Sequence, residues 1–187
     1  NVSKGWGWRR FVPFLKEKAA PSSSDVAAAY TPDFVRGLNR KAVLELTDEV
    51  LNHCECCPHC RPINGDEVVA YITQDERLEL HRRACPVALK HKTSFAARWD
   101  PAHNTTRLYD TPIHVEGLDA RGMLLSIAQA MGEFPNFVLK AIHLDTDDGI
   151  FSGTLTVALP STADVVRVCN SLMRIEQVAK ANRVDGF

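Results

Sequence analysis

Five of the six cysteines, Cys54, Cys56, Cys57, Cys60 and Cys85, fall within 32 residues of a 187-residue chain, and His53, His59 and His81 fall among them. A disulfide framework spreads its cysteines over the whole fold. Tight clustering with histidines, and no secretion signal, points instead to metal binding in a reducing compartment. Two spacings carry the chemistry. Cys57-Pro58-His59-Cys60 is a Cys-x-x-Cys, and His81 stands four positions before Cys85. The 20 residues between Cys60 and His81 have room for a hairpin. Two ligand-bearing turns at the ends of a hairpin are how a small module closes a tetrahedral zinc site, and four protein ligands leave no open position for catalysis. Cys60, His81 and Cys85 are the three ligands the spacing selects. Either His59 or Cys57 supplies the fourth.

The segment between the two ligand pairs alternates as strands do. Residues 67–73 are rich in β-formers, residues 74–76 are turn-like, and residues 77–81 alternate strictly. That alternation sets Leu78 and Leu80 on one face, Glu79 and His81 on the other. Residues 33–52 suggest one or two short helices, and residues 87–104 a basic connector.

The remainder has clear punctuation. Strands are expected over 111–116, 137–145, 150–159 and 175–184. A helix over 123–133 carries the apolar stripe Leu124, Ile127, Ala128 and Met131. A second helix begins at the capping pattern Ser161-x-x-Asp164 and carries Val165, Val168, Cys169 and Leu172. Asp147-Asp148-Gly149 marks a hairpin. The order strand, helix, strand, strand, helix, strand is the ferredoxin-like pattern. The fold class is therefore α+β: a small zinc-binding β-hairpin module over 31–100, then a βαββαβ domain over 105–187, preceded by a stub and linker over 1–30.

Charge is uneven although the formal net charge is only −1. From Arg77 to Arg98 there are six Lys or Arg residues and one acid, Glu79. Arg82, Arg83, Lys90 and Lys92 are the candidates within it for contacts to RNA phosphates; the alternative is an ordinary solvated face. No apolar run spans a membrane. No glycine-rich phosphate loop, nucleophile elbow or paired acid/base carboxylates are found, so the segment reads as non-catalytic. The chain opens on Asn1, as expected of a piece cut from a longer protein.

The stretch His59-Cys60-Arg61-Pro62-Ile63-Asn64-Gly65-Asp66-Glu67-Val68-Val69-Ala70-Tyr71-Ile72, followed by His81-Arg82-Arg83-Ala84-Cys85-Pro86, resembles the cysteine-rich region of RelA/SpoT-family (p)ppGpp synthetases and hydrolases. Trp8-Arg9-Arg10-Phe11 is similar to a segment that some members carry upstream. The resemblance implies an ACT domain after the cysteine module. It also implies a metal set of His59, Cys60, His81 and Cys85, although a histidine stands here where the family has the first cysteine of its pair. Asn64 replaces the family's proline. In the turn Asp119-Ala120-Arg121-Gly122, arginine is one place later than the ACT pattern has it. Asp119, Arg121 and Gly122 are the positions such a domain uses toward a small ligand.

The family's functions are implied with it. They are a cytoplasmic role in the stringent response, docking to the ribosome with its tRNA and rRNA, and control of N-terminal catalytic domains that lie outside this segment. The alternative is an amino-acid sensor whose ACT domains pair as a homodimer.

Overall fold

Alternating residues on both sides of Gln74-Asp75-Glu76 make a hairpin in the computed structural model, which describes residues 32–39, 41–90, 94–102 and 107–184. The stub and linker expected over 1–30, and Lys92, lie outside the described residues. The hairpin strands are β3 (Val68–Ile72) and β4 (Leu78–Arg82), paired antiparallel with Ala70 opposite Leu80. Leu78 and Leu80 are fully buried, as is His81 on the opposite face.

The hairpin is the centre of a larger sheet. β1 (Leu44–Leu46), β2 (Cys54–Cys56) and β5 (Ser94–Trp99) complete five strands in the order β1-β5-β3-β4-β2. The region expected to hold one or two short helices holds two, α1 (Pro32–Gly37) and α2 (Asp48–Asn52), with the unexpected strand β1 between them. One sequence expectation is corrected here. The basic connector contains β5, which pairs with both β1 and β3. β1 is only three residues long, and the Ser94-Phe95-Ala96-Ala97-Arg98-Trp99 run of β5 does not alternate strictly, so neither can be read from periodicity.

The second half has the expected order. β6 (Tyr109–Leu118), α3 (Met123–Gly132), β7 (Val138–Asp147), β8 (Ile150–Leu159), α4 (Thr162–Leu172) and β9 (Val178–Arg183) follow one another. The sheet runs β7-β8-β6-β9, the ferredoxin-like arrangement. Ile113, Val115, Ile127, Phe151, Leu155, Val157, Val168 and Leu172 build its core. Ser161 caps α4: its Oγ accepts from Asp164 N–H at 3.4 Å and donates to Asp164 Oδ2 at 2.6 Å. The buried face of α3 is Met123, Ile127, Ala130 and Met131, while Leu124 is 52% exposed. Ile127 and Met131 of the expected stripe are buried, while Met123 and Ala130 stand in for the exposed Leu124 and Ala128.

The two sheets meet along residues 61–66. Ile63 lies in the core of the βαββαβ half, Asn64 bridges to Ser161, and Trp99 Nε1–H donates to the Asp66 carbonyl at 2.9 Å.

Candidate metal centre

Parallel pairing of β2 with β4 sets Cys56 beside Leu80, and Cys57 N–H continues the ladder by donating to Leu80 C=O at 3.0 Å. This brings Cys57 alongside His81. The chain then turns back: Arg61 N–H donates to Cys57 C=O at 2.9 Å, with Arg61 at φ 42°. A turn closed this way brings residues 57 and 60 to one side. On the second arm, Cys85 N–H donates to Arg82 C=O at 2.9 Å, folding Cys85 back toward His81.

The result is a group of four buried donors, Cys57, Cys60, His81 and Cys85, whose ligand atoms all lie within 4.8 Å of one another. Cys60 Sγ and His81 Nδ1 are 3.9 Å apart. A tetrahedral ion bonded at zinc-like lengths separates such donors by about 3.3–3.8 Å. Three thiols and an imidazole in this spacing fit a metal after a small contraction. His59, placed in the ligand set by the resemblance, lies outside this group, exposed at the tip of the turn, and Cys57 lies within it. The Cys-x-x-Cys spacing was the signal that favoured Cys57.

The surroundings favour ligation. His81 Nε2 lies 3.2 Å from Glu79 Oε1. Tyr71 O–H donates to the other oxygen of Glu79 at 2.7 Å, and the Tyr71 ring stacks on His81 with centroids 4.8 Å apart. A carboxylate this near the far nitrogen is placed to steady the imidazole with Nδ1 toward the cluster. Burial pushes the Cys60 thiol up, the Arg82 N–H pulls it down, and Cys57 and Cys85 push it further up. A bound cation would reverse that balance by stabilising the thiolates. Cys54 stays outside the group, its thiol pushed up to about 12 by desolvation first and Cys56 second. Glu79 and Tyr71 were not singled out as site residues by sequence reasoning; the alternation that put Glu79 on the His81 face was the signal available.

Comparison with known proteins matches both halves of the chain to known domains. Residues 43–100 match the RelA/SpoT RIS domain model and residues 105–183 the ACT domain model. The chain therefore holds a RelA/SpoT RIS domain followed by an ACT domain. It is 26% identical over 193 aligned positions to a GTP pyrophosphokinase of Escherichia coli strain K12, covering 95% of this chain and 25% of that protein. It is 23% identical to the Haemophilus influenzae GTP pyrophosphokinase, over 78% of this chain and 20% of that one. The chain thus spans about a quarter of the length of these relatives. Among solved structures, the ACT domain from the GTP pyrophosphokinase of Chlorobium tepidum aligns at 23% identity and TM-score 0.38, covering 41% of this chain and 99% of that one.

The basic run of the RIS domain is distributed by the fold. Arg77 pairs with Glu55 at 2.7 Å and Arg98 with Glu45 at 3.0 Å. Arg82 is directed to Asp66, Nε to Oδ1 3.7 Å, with its side chain only 20% exposed. Arg83 lies 3.6 Å from Glu67, both side chains well exposed, a pair worth about 0–1 kcal/mol. Lys90 is exposed on the 3-10 turn Ala88–Lys90. The charge count along residues 77–98 missed these acids because Glu45, Glu55, Asp66 and Glu67 all precede the run.

In the ACT domain, Asp119, Arg121 and Gly122 sit together on the exposed turn between β6 and α3. Asp119 N–H donates to Gly149 C=O at 2.9 Å, tying this turn to the β7–β8 hairpin, and Gly122 adopts φ 83° as the residue before α3. Among the described residues no helix is long and apolar enough to cross a membrane.

Proposed function

We propose that Cys57, Cys60, His81 and Cys85 hold a structural zinc ion, and that this segment is a regulatory region of a GTP pyrophosphokinase-type enzyme, docking on ribosomal RNA and tRNA and controlling catalytic domains elsewhere in the polypeptide. The observation that carries the reading is the buried set of three thiols and one imidazole inside a RIS domain followed directly by an ACT domain. Such a set closes the coordination sphere with protein atoms, so the ion would supply folding energy and no reactive position. A reducing cytoplasm suits six thiols that are all free.

Arg83 and Lys90 are the RNA contacts best supported, being exposed, with Arg82 behind them largely committed to Asp66. Basic side chains of this kind neutralise phosphates and make affinity fall with salt. The test is binding of the chain to ribosomes across a salt series, with R83E and Lys90→Glu. A shallower salt dependence in the variants supports the docking role; identical curves for variant and wild type remove it.

A second reading, an amino-acid sensor acting through paired ACT domains, draws on the exposed turn of Asp119, Arg121 and Gly122 beside the exposed Leu124 and Leu125 of α3. A sensor is stabilised by its ligand through mass action. A thermal-shift screen of the twenty amino acids is expected to single one out, and a flat screen counts against sensing.

A further inference from the structure

We infer that residues 61–66 couple the four-donor centre to the ACT domain, so that loss of the metal loosens β9 and the first turn of α4 from the RIS domain while the ACT core stays folded. This rests on the metal-binding reading above.

The coupling begins at one residue. Arg61 follows Cys60 directly; its N–H closes the metal-bearing turn on Cys57 C=O, and its own carbonyl accepts from Arg183 Nη2–H on β9 at 2.6 Å. Arg61 holds a left-handed backbone, φ 42°, that a residue with a side chain disfavours. Something must hold it there, and ligation of Cys57 and Cys60 on either side of the turn would do so. When the turn relaxes, the carbonyl that receives Arg183 moves with it.

Five residues further on, Asp66 completes the grip. Its carboxylate accepts from Arg183 Nη1–H at 2.8 and 3.0 Å, and from Ile63 N–H at 2.8 Å. The Asp66 and Arg183 side chains are 8% and 12% exposed. A second route reaches the same pair, because Arg82 donates its N–H to Cys60 Sγ at 3.3 Å and brings its guanidinium to Asp66. Between these points the loop is pressed on α4. Thr162 N–H donates to Asn64 C=O at 2.8 Å, and Gly65, at φ 95°, lies so close that any Cβ would collide with Thr162 Oγ1.

The hydrogen bonds of the loop reach β9 and the start of α4, and Ile63 adds one apolar side chain to the core. β7 and β8 are held mainly by each other, as ten-residue strands in a hairpin of their own with Phe151, Leu155 and Val157 fully buried. Metal loss should therefore act on β9 and the start of α4 and spare β7 and β8.

Hydrogen exchange followed by mass spectrometry on the 187-residue chain tests this, with zinc content measured on the same samples. On removal of zinc by a chelator, peptides covering 161–165 and 178–184 are expected to exchange about tenfold faster or more, with 139–157 unchanged, in the range usual for coupled sites. In zinc-loaded D66N the same two peptides are expected to speed up with metal content intact. Zinc bound but both peptides unchanged on its removal overturns the coupling alone. Equal loosening of 139–157 also overturns it, since the metal would then support the whole fold. Unchanged exchange in D66N overturns the assigned route. Absence of bound zinc sinks the metal reading and this inference together.

Discussion

Glu79 Oε1 lies 3.2 Å from Nε2 of His81, whose Nδ1 lies 3.9 Å from the Cys60 sulfur. The imidazole is thus held between a carboxylate and a group of thiols, and its two nitrogens have different tasks. Glu79 and His81 are two apart on β4, so the pleat puts them on one face. Removing the carboxylate should cost orientation without removing a ligand. For Glu79→Gln we expect zinc affinity to fall by about 10–100-fold, measured by competition with a chromophoric chelator; wild-type affinity would show that the carboxylate has no part in the site.

Cys57 and His59 make opposite predictions. Substitution C57S should abolish stoichiometric metal binding, whereas His59→Ala should keep one ion per chain, because His59 faces outward. Cobalt substitution distinguishes the donor sets directly, since sulfur-to-cobalt charge-transfer intensity grows with the number of thiolates. Three thiolates are expected in the wild type and in H59A; a two-thiolate spectrum in the wild type would restore His59 as the ligand.

Asp66 and Arg183 form an ion pair across 117 positions of sequence, largely out of water. Breaking such a pair strands a charge, at a cost of about 3–5 kcal/mol. D66A and R183A should each lower stability toward urea by that order, and the double variant by clearly less than the sum. Additive losses would mean that the two side chains act independently.

Arg82 and Arg83 are neighbours with different environments. R82E places a carboxylate against Asp66 and should reduce the melting temperature sharply, whereas R83E, in an exposed pair, should stay within about 0.5 kcal/mol of wild type. Equal melting temperatures for the two variants would contradict the burial difference. The contrast also makes R83E the cleaner probe of RNA docking.

Gly65 is a position where no side chain fits. Its φ of 95° favours glycine, and an added Cβ would meet Thr162 Oγ1. G65A should therefore destabilise the chain by more than the usual ~1 kcal/mol of a conformationally strained substitution, read from denaturant midpoints. Combining it with Thr162→Ser should recover little, because the colliding hydroxyl remains; recovery to wild type would assign the clash to the methyl group instead.

The sequence by itself determined the periodic parts of this protein. The alternation over residues 150–159 marks β8 to the residue, the Ser161 cap marks the start of α4, and Leu78, Glu79, Leu80 and His81 fall on the faces their alternation assigns. These features are local: hydrogen-bond ladders and caps involve residues within a few positions of each other, and their spacing is written in the chain. Cys60, His81 and Cys85 were legible for the same reason, as two short turns. The choice of Cys57 over His59 was decided only by the tertiary structure, because it depends on β2 lying parallel to β4 and on which side of the turn faces His81. So were β5, the neutralisation of Arg77, Arg82 and Arg98 by acids earlier in the chain, and the grip of Asp66 on Arg183. Charges and buried polar groups choose partners by distance in space, and distance in space between residues 66 and 183 exists only once both sheets have formed.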